Sequence, residues 1–401
     1  MGLIVQKYGG TSVRDAERVM NVARRITEAY KEGNSVVVAV SAQGDTTDDL
    51  IEKAKEINEH ASKREMDMLL SSGEQISIAL LAMAIEKLGY PVISMTGWQA
   101  GFRTDSQYSS ARIKTIDTER IKSELDKKRI VIVAGFQGLN KYDDITTLGR
   151  GGSDTSAVAL AAALHADLCE IYTDVDGVYT ADPRFVKNAY KLEDISYDEM
   201  LELASLGANV LHNRSVEMAK KYNVKLSVRS SLNNNEGTYV KEVEQVEKMV
   251  VRGVTRDNDC ARIALCGVED APGKAFQVFQ MLAKHGISVD LILQSIGNGV
   301  KKDIAFTVTE GNFDRVIELL EENNSSIKAD EIKGTKDVSK VSIVGAGMVH
   351  NPGVAAKMFE ALSDAHININ MIATSEIKIS VLVDRNDAER AVVAIHDKFM
   401  L

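Results

Sequence analysis

Four short segments of this chain carry residues able to hold an anion or an amino acid. Lys7-Tyr8-Gly9-Gly10-Thr11-Ser12 joins an apolar strand to a helix. Its glycines let the backbone approach a bulky anion, a helix start offers unpaired N–H groups, and Lys7 reaches phosphate oxygens as a point charge. The same spacing also suits a plain strand-turn-helix with Ser12 as cap. It is not a Walker A loop, because GxxxxGK[ST] is absent. Thr147–Asp154 (TLGRGGSD) surrounds Arg150 with glycines, which leave its guanidinium room to grip a carboxylate or phosphate in a bidentate fork. Capping by Ser153 and Asp154 is the competing reading, although a cap needs only one polar residue. Ser71-Ser72-Gly73-Glu74 leads into an apolar helix. Glu74 there reads first as a first-turn carboxylate in the helix dipole, and second as a partner for an ammonium group. Thr173–Arg184 (TDVDGVYTADPR) follows a strand, at the kind of strand end where α/β folds bind ligands. Tyr179 suits stacking on a base and Asp174 suits accepting from a sugar or amine; a turn-rich connection fits equally. DxDG lacks the further ligands of a calcium loop, and the histidines show no ligand spacing, so no protein-built metal site is expected. Neither GxSxG nor a Cys–His signature is present, which leaves covalent catalysis unsupported.

The elements that must position these groups are legible in the hydropathy. Leu3–Val5, Val36–Val40, Val92–Met95, Ile130–Ala134 and Leu168–Tyr172 are near-continuous apolar runs, as in strands buried on both faces. Between them, Val19, Val22, Ala23, Ile26 and Tyr30 make one helical stripe and Ile76, Ala79, Leu80 and Met83 another; Thr155–His165 is an Ala-rich third. This alternation predicts an α/β fold, an open mostly parallel sheet covered by helices on both sides. A turn cluster at Ser230–Gly237 and the charged Lys241–Lys248 place a boundary near residues 240–255. Beyond it the chain repeats itself at an offset of about 80, an internal period that marks duplicated units. Pro272-Gly273 matches Pro352-Gly353, and Phe279, Leu282, Ile287, Ile292 and Ser295 match Phe359, Leu362, Ile367, Ile372 and Ser375. Each copy reads as a ferredoxin-like βαββαβ unit. The expected domains are residues 1–240, 255–330 and 335–401, the last two intertwined.

Composition excludes several classes. The 401 residues are 44% hydrophobic and 26% charged, ordinary for a soluble globular chain. Three cysteines, none in a CxxC pair, exclude a disulfide scaffold and suit a reducing compartment. A net charge of −10 without blocks of like charge argues against nucleic acid. The longest apolar runs read as strand-sized, far below the roughly 18 residues of a membrane span, and the N-terminus does not read as a signal peptide. A cytoplasmic protein without a membrane partner is expected.

Taken together and in this order, KYGGTS, Ser41–Asp48 (SAQGDTTD), Ser72–Glu74 (SGE), Val133–Gly138 (VAGFQG), TLGRGGSD and TDVDGVYTADPR resemble the aspartokinase family, within the amino-acid kinase fold. The C-terminal repeat resembles that family's paired ACT regulatory domains. The resemblance spans essentially the whole chain. It implies phosphorylation of the L-aspartate side-chain carboxylate by ATP, with Mg²⁺ held mainly by the ATP phosphates, giving 4-phospho-L-aspartate. It further implies that Lys7, with the Gly9 and Gly10 amides, holds the transferring phosphoryl group and that Arg150 holds the substrate α-carboxylate. Glu74 would accept from the α-ammonium, with Ser41, Thr47 and Ser153 nearby, and Asp154 would orient Lys7 or the amine. Thr173, Asp174, Tyr179 and Arg184 would line the nucleotide site. An end-product amino acid, lysine and/or threonine, would act through the ACT pair. Its carboxylate would meet the loop Asp270–Gly273, with Gln294 and with Asn368 and Asn370 alternating along a strand His366–Met371. Such repeats usually pair between chains, so a homodimer at least is expected. Asn209 departs from the family's usual Lys in GAKVLH, and Asn351 stands where relatives often have His. With no GxGxxG and an end at Leu401, a monofunctional enzyme is expected. Two other functions stay open: a same-fold kinase for another acid, and a non-catalytic amino-acid sensor.

Overall fold

The near-continuous apolar runs become the centre of a large sheet in the computed structural model, which describes residues 2–208, 210–242, 250–295 and 300–400. Asn209 and most of Lys241–Lys248 lie outside the described residues. The chain divides into two units, the first made of Met1–Val178, Lys191–Ser205 and Asn209–Gln245. In chain order this unit carries β1 (Leu3–Tyr8), α1 (Ala16–Lys31), β2 (Ser35–Val40), α2 (Thr46–Ile57), α3 (Lys63–Lys87), β3 (Val92–Met95), β4 (Phe102–Thr104), β5 (Ile113–Ile116), α4 (Glu119–Asp126), β6 (Ile130–Ala134), β7 (Gln137–Leu139), β8 (Ile145–Thr147), α5 (Gly152–Leu164), β9 (Leu168–Thr173), β10 (Asp194–Ile195), α6 (Tyr197–Ser205), α7 (Asn213–Tyr222), β11 (Leu226–Ser230) and β12 (Thr238–Val240). The main sheet runs β10-β12-β11-β9-β1-β2-β6-β3, and its pairs are parallel except β11 with β12. A smaller sheet runs β5-β4-β7-β8.

Both faces of the main sheet are covered. Val36, Val38, Val40, Ile130 and Ile132 pack with α1 and α3 in one core cluster, while Val37, Ala39 and Val131 are equally buried outside it. That alternation is the two-residue period of a strand clothed on both sides. The Ala-rich α5 packs on β1, β2 and β9 and is buried nearly all round, which only small side chains allow at such close approach.

Two helical expectations need correcting. The second stripe is not core: Ile76, Leu80 and Met83 are exposed, and the buried face of α3 is Gly73, Glu74, Ser77, Ile78, Leu81 and Ile85. Nor does that helix start at Ser71. It starts at Lys63, capped by Ser62, so Glu74 sits in its middle. The helix is also long and apolar enough to meet the length and composition of a membrane span, which the reading of strand-sized runs had missed. Half of its apolar window is buried inside this unit, and it carries the buried carboxylates Asp67 and Glu74, as a core helix of a globular unit does. At the N-terminal loop, Ser12 does not cap α1. Asp15 does, accepting from Arg18 N at 2.9 Å. Ser12 is buried, with its hydroxyl 2.8 Å from that of Ser231.

The second unit comprises Tyr179–Tyr190, Leu206–Ala208 and Val246–Leu401. It carries β13 (Gly253–Asp257), β14 (Ala261–Glu269), α8 (Lys274–Lys284), β15 (Ile292–Gln294), β16 (Lys301–Val308), α9 (Phe313–Glu322), α10 (Asn324–Ile327), β17 (Glu331–Thr335), β18 (Val338–Val344), α11 (Val354–Asp364), β19 (Met371–Thr374), β20 (Lys378–Asp384) and α12 (Ala388–Met400). The internal repeat is real in three dimensions. Gly273 and Gly353 open α8 and α11 at φ 94° and 96°, a conformation that glycine adopts without a Cβ penalty. Leu282 and Leu362, within these same two helices, are fully buried. The two sheets run β15-β16-β14-β17 and β19-β20-β18-β13. Strand β13, which precedes the first repeat, therefore occupies in the second sheet the place that β17 occupies in the first. Each pairs antiparallel with its neighbour, β13 with β18 and β17 with β14.

Candidate active site

The carboxyl ends of β1 and β2, the loop after β6 and the start of α5 surround a cavity of about 300 Å³. It is lined by Lys7, Gly9, Gly10, Ser41, Thr47, Glu74, Arg150, Ser153 and Asp154 from the sequence reading, together with Ala42, Gly44, Phe136 and the glycines flanking Arg150. Several glycines are needed for close approach. A Cβ on Gly10 would lie 2.7 Å from the Ala42 carbonyl oxygen, and one on Gly73 would lie 2.8 Å from the Ala42 Cβ. Gly73 thus lets α3 reach the loop after β2 and carries Glu74 into the pocket.

The charges are arranged in pairs with gaps. Lys7 Nζ lies 2.6 Å from Asp154 Oδ1, both side chains close to nine-tenths buried. Glu74 Oε1 accepts from Ala42 N at 3.1 Å, while its buried Oε2 has no hydrogen-bond partner. Burial raises the Glu74 carboxyl from its ordinary 4.5 to about 8, against the lowering effect of the Ala42 N–H. Arg150 is exposed at the rim. An unpartnered carboxyl oxygen, a cation at the rim and a paired lysine in one pocket are groups chemically able to hold a zwitterion beside a phosphoryl group.

Of the nucleotide candidates, Thr173 ends β9 beside β1, and Asp174 is exposed just after it. Neither lines the cavity. Tyr179 and Arg184 lie on Tyr179–Tyr190, which belongs to the second unit. Arg184 there grips Asp182 at 2.6 Å, and Ala181 and Val186 join that unit's core. In the second unit, a further cavity of about 300 Å³ is lined by Asp270, Gly273, Gln294 and Lys302, among others. Asp270 pairs with Lys302 at 2.7 Å. Asn368 and Asn370 do not line it, and the expected strand His366–Met371 is absent: β19 begins at Met371, and Asn370 donates to Asp384 at 2.8 Å. His366 takes a left-handed φ of 55°, which breaks the extended run.

Sequence reasoning gave no role to Phe136, which lines the pocket at φ 70°, or to Asp67 and Arg214 behind it. VAGFQG was the only signal for the first, and nothing local marked the other two.

The amino acid kinase family model matches residues 2–230 and an ACT domain model matches residues 341–399. An aspartokinase of Bacillus sp. (strain MGA3) is 51% identical over 402 residues, covering 100% of this chain and 98% of the relative. The structure of E. coli aspartokinase III in complex with aspartate and ADP (R-state) is 25% identical with a TM-score of 0.84, covering 100% of both chains. The same enzyme in complex with lysine and aspartate (T-state) gives 26% and 0.78, again with 100% of both covered. At half identity along its full length, the chain belongs to the aspartokinase family, the kinases that phosphorylate the side-chain carboxylate of L-aspartate with ATP.

Proposed function

We propose that the 300 Å³ cavity is where L-aspartate receives the phosphoryl group, and that the unpartnered Glu74 Oε2 is the observation that carries this. Glu74 accepts from the substrate α-ammonium and Arg150 forks the α-carboxylate, with Ser41, Thr47 and Ser153 completing the walls. The side-chain carboxylate then points toward Lys7. One of its oxygens attacks the γ-phosphorus of ATP, the bond from that phosphorus to the β–γ bridging oxygen breaks, and ADP leaves with the electron pair. The nucleophile is already an anion, so no general base is required, and Asp154 serves to orient Lys7. Lys7 and the Gly9 and Gly10 amides stabilise charge on the transferring oxygens. Thr173 and Asp174, at the end of β9 in the same unit, hold the nucleotide, and Mg²⁺ carried by its phosphates would neutralise part of their charge.

Regulation belongs to the same reading. An end-product amino acid, lysine and/or threonine, binds at Asp270, Gly273 and Gln294, where the start of α8 offers N–H groups to a carboxylate. Support comes from the relative whose T-state contains lysine. Exposed Ile292 and Leu293 on the sheet-edge strand β15 support a homodimer at least. Cysteines that are all free support a cytoplasmic setting.

Steady-state kinetics of Glu74→Gln and Arg150→Ala test the substrate assignment. Each change raises the aspartate KM about 30-fold or more, the result of removing one partner of a desolvated charge pair, and moves the ATP KM little. Equal changes in both KM values would contradict it.

A further inference from the structure

Arg150 and the start of α5 sit on Thr147–Gly152, a segment rich in glycine, and its position is fixed from behind the pocket. Asp67, fully buried on the second turn of α3, accepts from Ser109 N at 2.9 Å, Thr147 N at 2.9 Å and the Thr147 hydroxyl at 2.8 Å. Among the described residues no cation pairs with it, so its whole charge is spent on two loops. Arg214, half-buried on α7, faces the same loops from their other end. Its Nη1 donates to Leu148 O at 2.9 Å and its Nη2 to Ala111 O at 2.8 Å. The two loops are also joined directly, Ala111 N to Thr147 O at 2.9 Å. Ser109 is held at φ 66°, a conformation a serine rarely adopts unaided. Gly149 follows at φ 78°, with room for no Cβ clear of Ser109 O. Neither Asp67 nor Arg214 lines the cavity.

We propose that Asp67 and Arg214 are positioning residues for phosphoryl transfer: a carboxylate and a guanidinium clamp the Ser109–Ala111 and Thr147–Gly149 loops so that Arg150 meets Glu74 and Lys7. The reasoning is that a loop with glycines at three of its positions has many backbone conformations, and only external hydrogen bonds select the one that aims Arg150 inward. A clamp on Arg150 acts on aspartate and leaves nucleotide binding alone. This rests on the assignment of Arg150 to the substrate α-carboxylate.

The experiment is steady-state kinetics with thermal unfolding on the full-length Arg214→Met, Arg214→Lys and Asp67→Asn variants, with Arg150→Ala alongside. Arg214→Met raises the aspartate KM by about tenfold to a hundredfold, the cost expected of a misplacement near 1 Å, with the ATP KM within about twofold. Arg214→Lys, whose single ammonium reaches one carbonyl at a time, recovers part of that loss. Asp67→Asn, which turns an NH₂ toward donors, gives the same KM split if Arg214→Met does not fold. A fall in thermal stability with unchanged aspartate KM, or parallel rises in both KM values, overturns the clamp while Arg150→Ala still raises the aspartate KM. If Arg150→Ala itself leaves that KM unchanged, the substrate assignment fails and the clamp with it.

Discussion

Lys7 at the end of β1 and Asp154 in the first turn of α5 meet at 2.6 Å, although 147 positions apart in sequence, and both are close to nine-tenths buried. Each holds the other's charge where a phosphate would otherwise have to. Asp154→Asn leaves Lys7 as a buried, uncompensated cation, which costs roughly 3 kcal/mol or more. A nucleotide phosphate then takes the vacated place. The rise in Tm on adding MgATP is therefore larger for Asp154→Asn than for the wild type. An equal or smaller rise in the variant would show that Lys7 does not face the nucleotide.

Glu74 makes stability depend on pH in an unusual direction. Its carboxyl titrates near 4.5 in the unfolded chain and near 8 in the ligand-free fold, so between these values the folded state binds the extra proton. Stability consequently falls as pH rises through this window and stays low above about 8. Glu74→Gln removes the dependence. In urea denaturation the variant is more stable than the wild type at about pH 9, by roughly 2–5 kcal/mol, and the difference closes toward about pH 4. A constant difference across that range would contradict the buried, unpaired carboxylate. The same protonation predicts that kcat/KM for aspartate climbs as pH approaches 8 from below.

Feedback should be separable from catalysis at Asp270. Its partner is Lys302 at 2.7 Å, and neither residue belongs to the first unit. Asp270→Ala raises the concentration of lysine or threonine needed for half-inhibition by about tenfold, a coupling of ordinary size, and leaves kcat without effector unchanged. Inhibition that survives intact would move the effector elsewhere. Deleting residues from about 255 onward is a poorer test of regulation. Ala181 and Val186 pack in the core formed with β18, α11, β20 and α12, and Thr180 bonds the buried His396 at 2.9 Å. Truncation would strip the segment Tyr179–Tyr190 of its packing and lower stability as well as regulation.

The strands at the centre of the fold were legible because burial on both faces makes a run apolar without interruption, as in Val36–Val40 and Ile130–Ala134. Lys7, followed by Gly9-Gly10, and Arg150, set between Gly149 and Gly151, were legible because close approach excludes a Cβ. The start of α3 was hidden by Ser71-Ser72-Gly73, which looks like a turn. There the glycine is a contact with Ala42, and the serines bond back to the carbonyls of Met68 and Leu69. The stripe at Ile76, Leu80 and Met83 misled because helical spacing reports a face and not which face is covered. Asp67 and Arg214 had no local signature, since their partners lie 42 to 103 positions away. The expected strand at Asn368 and Asn370 failed at His366, where a left-handed residue turns the chain before pairing begins at Met371.

The most direct test of the account is kcat for Lys7→Ala, measured with saturating aspartate and MgATP. A lysine aimed at the transferring phosphoryl group acts on charge in the transition state, so kcat falls by about 100-fold or more while both KM values stay within roughly threefold. A near-normal kcat would contradict the placement of phosphoryl transfer at this pocket.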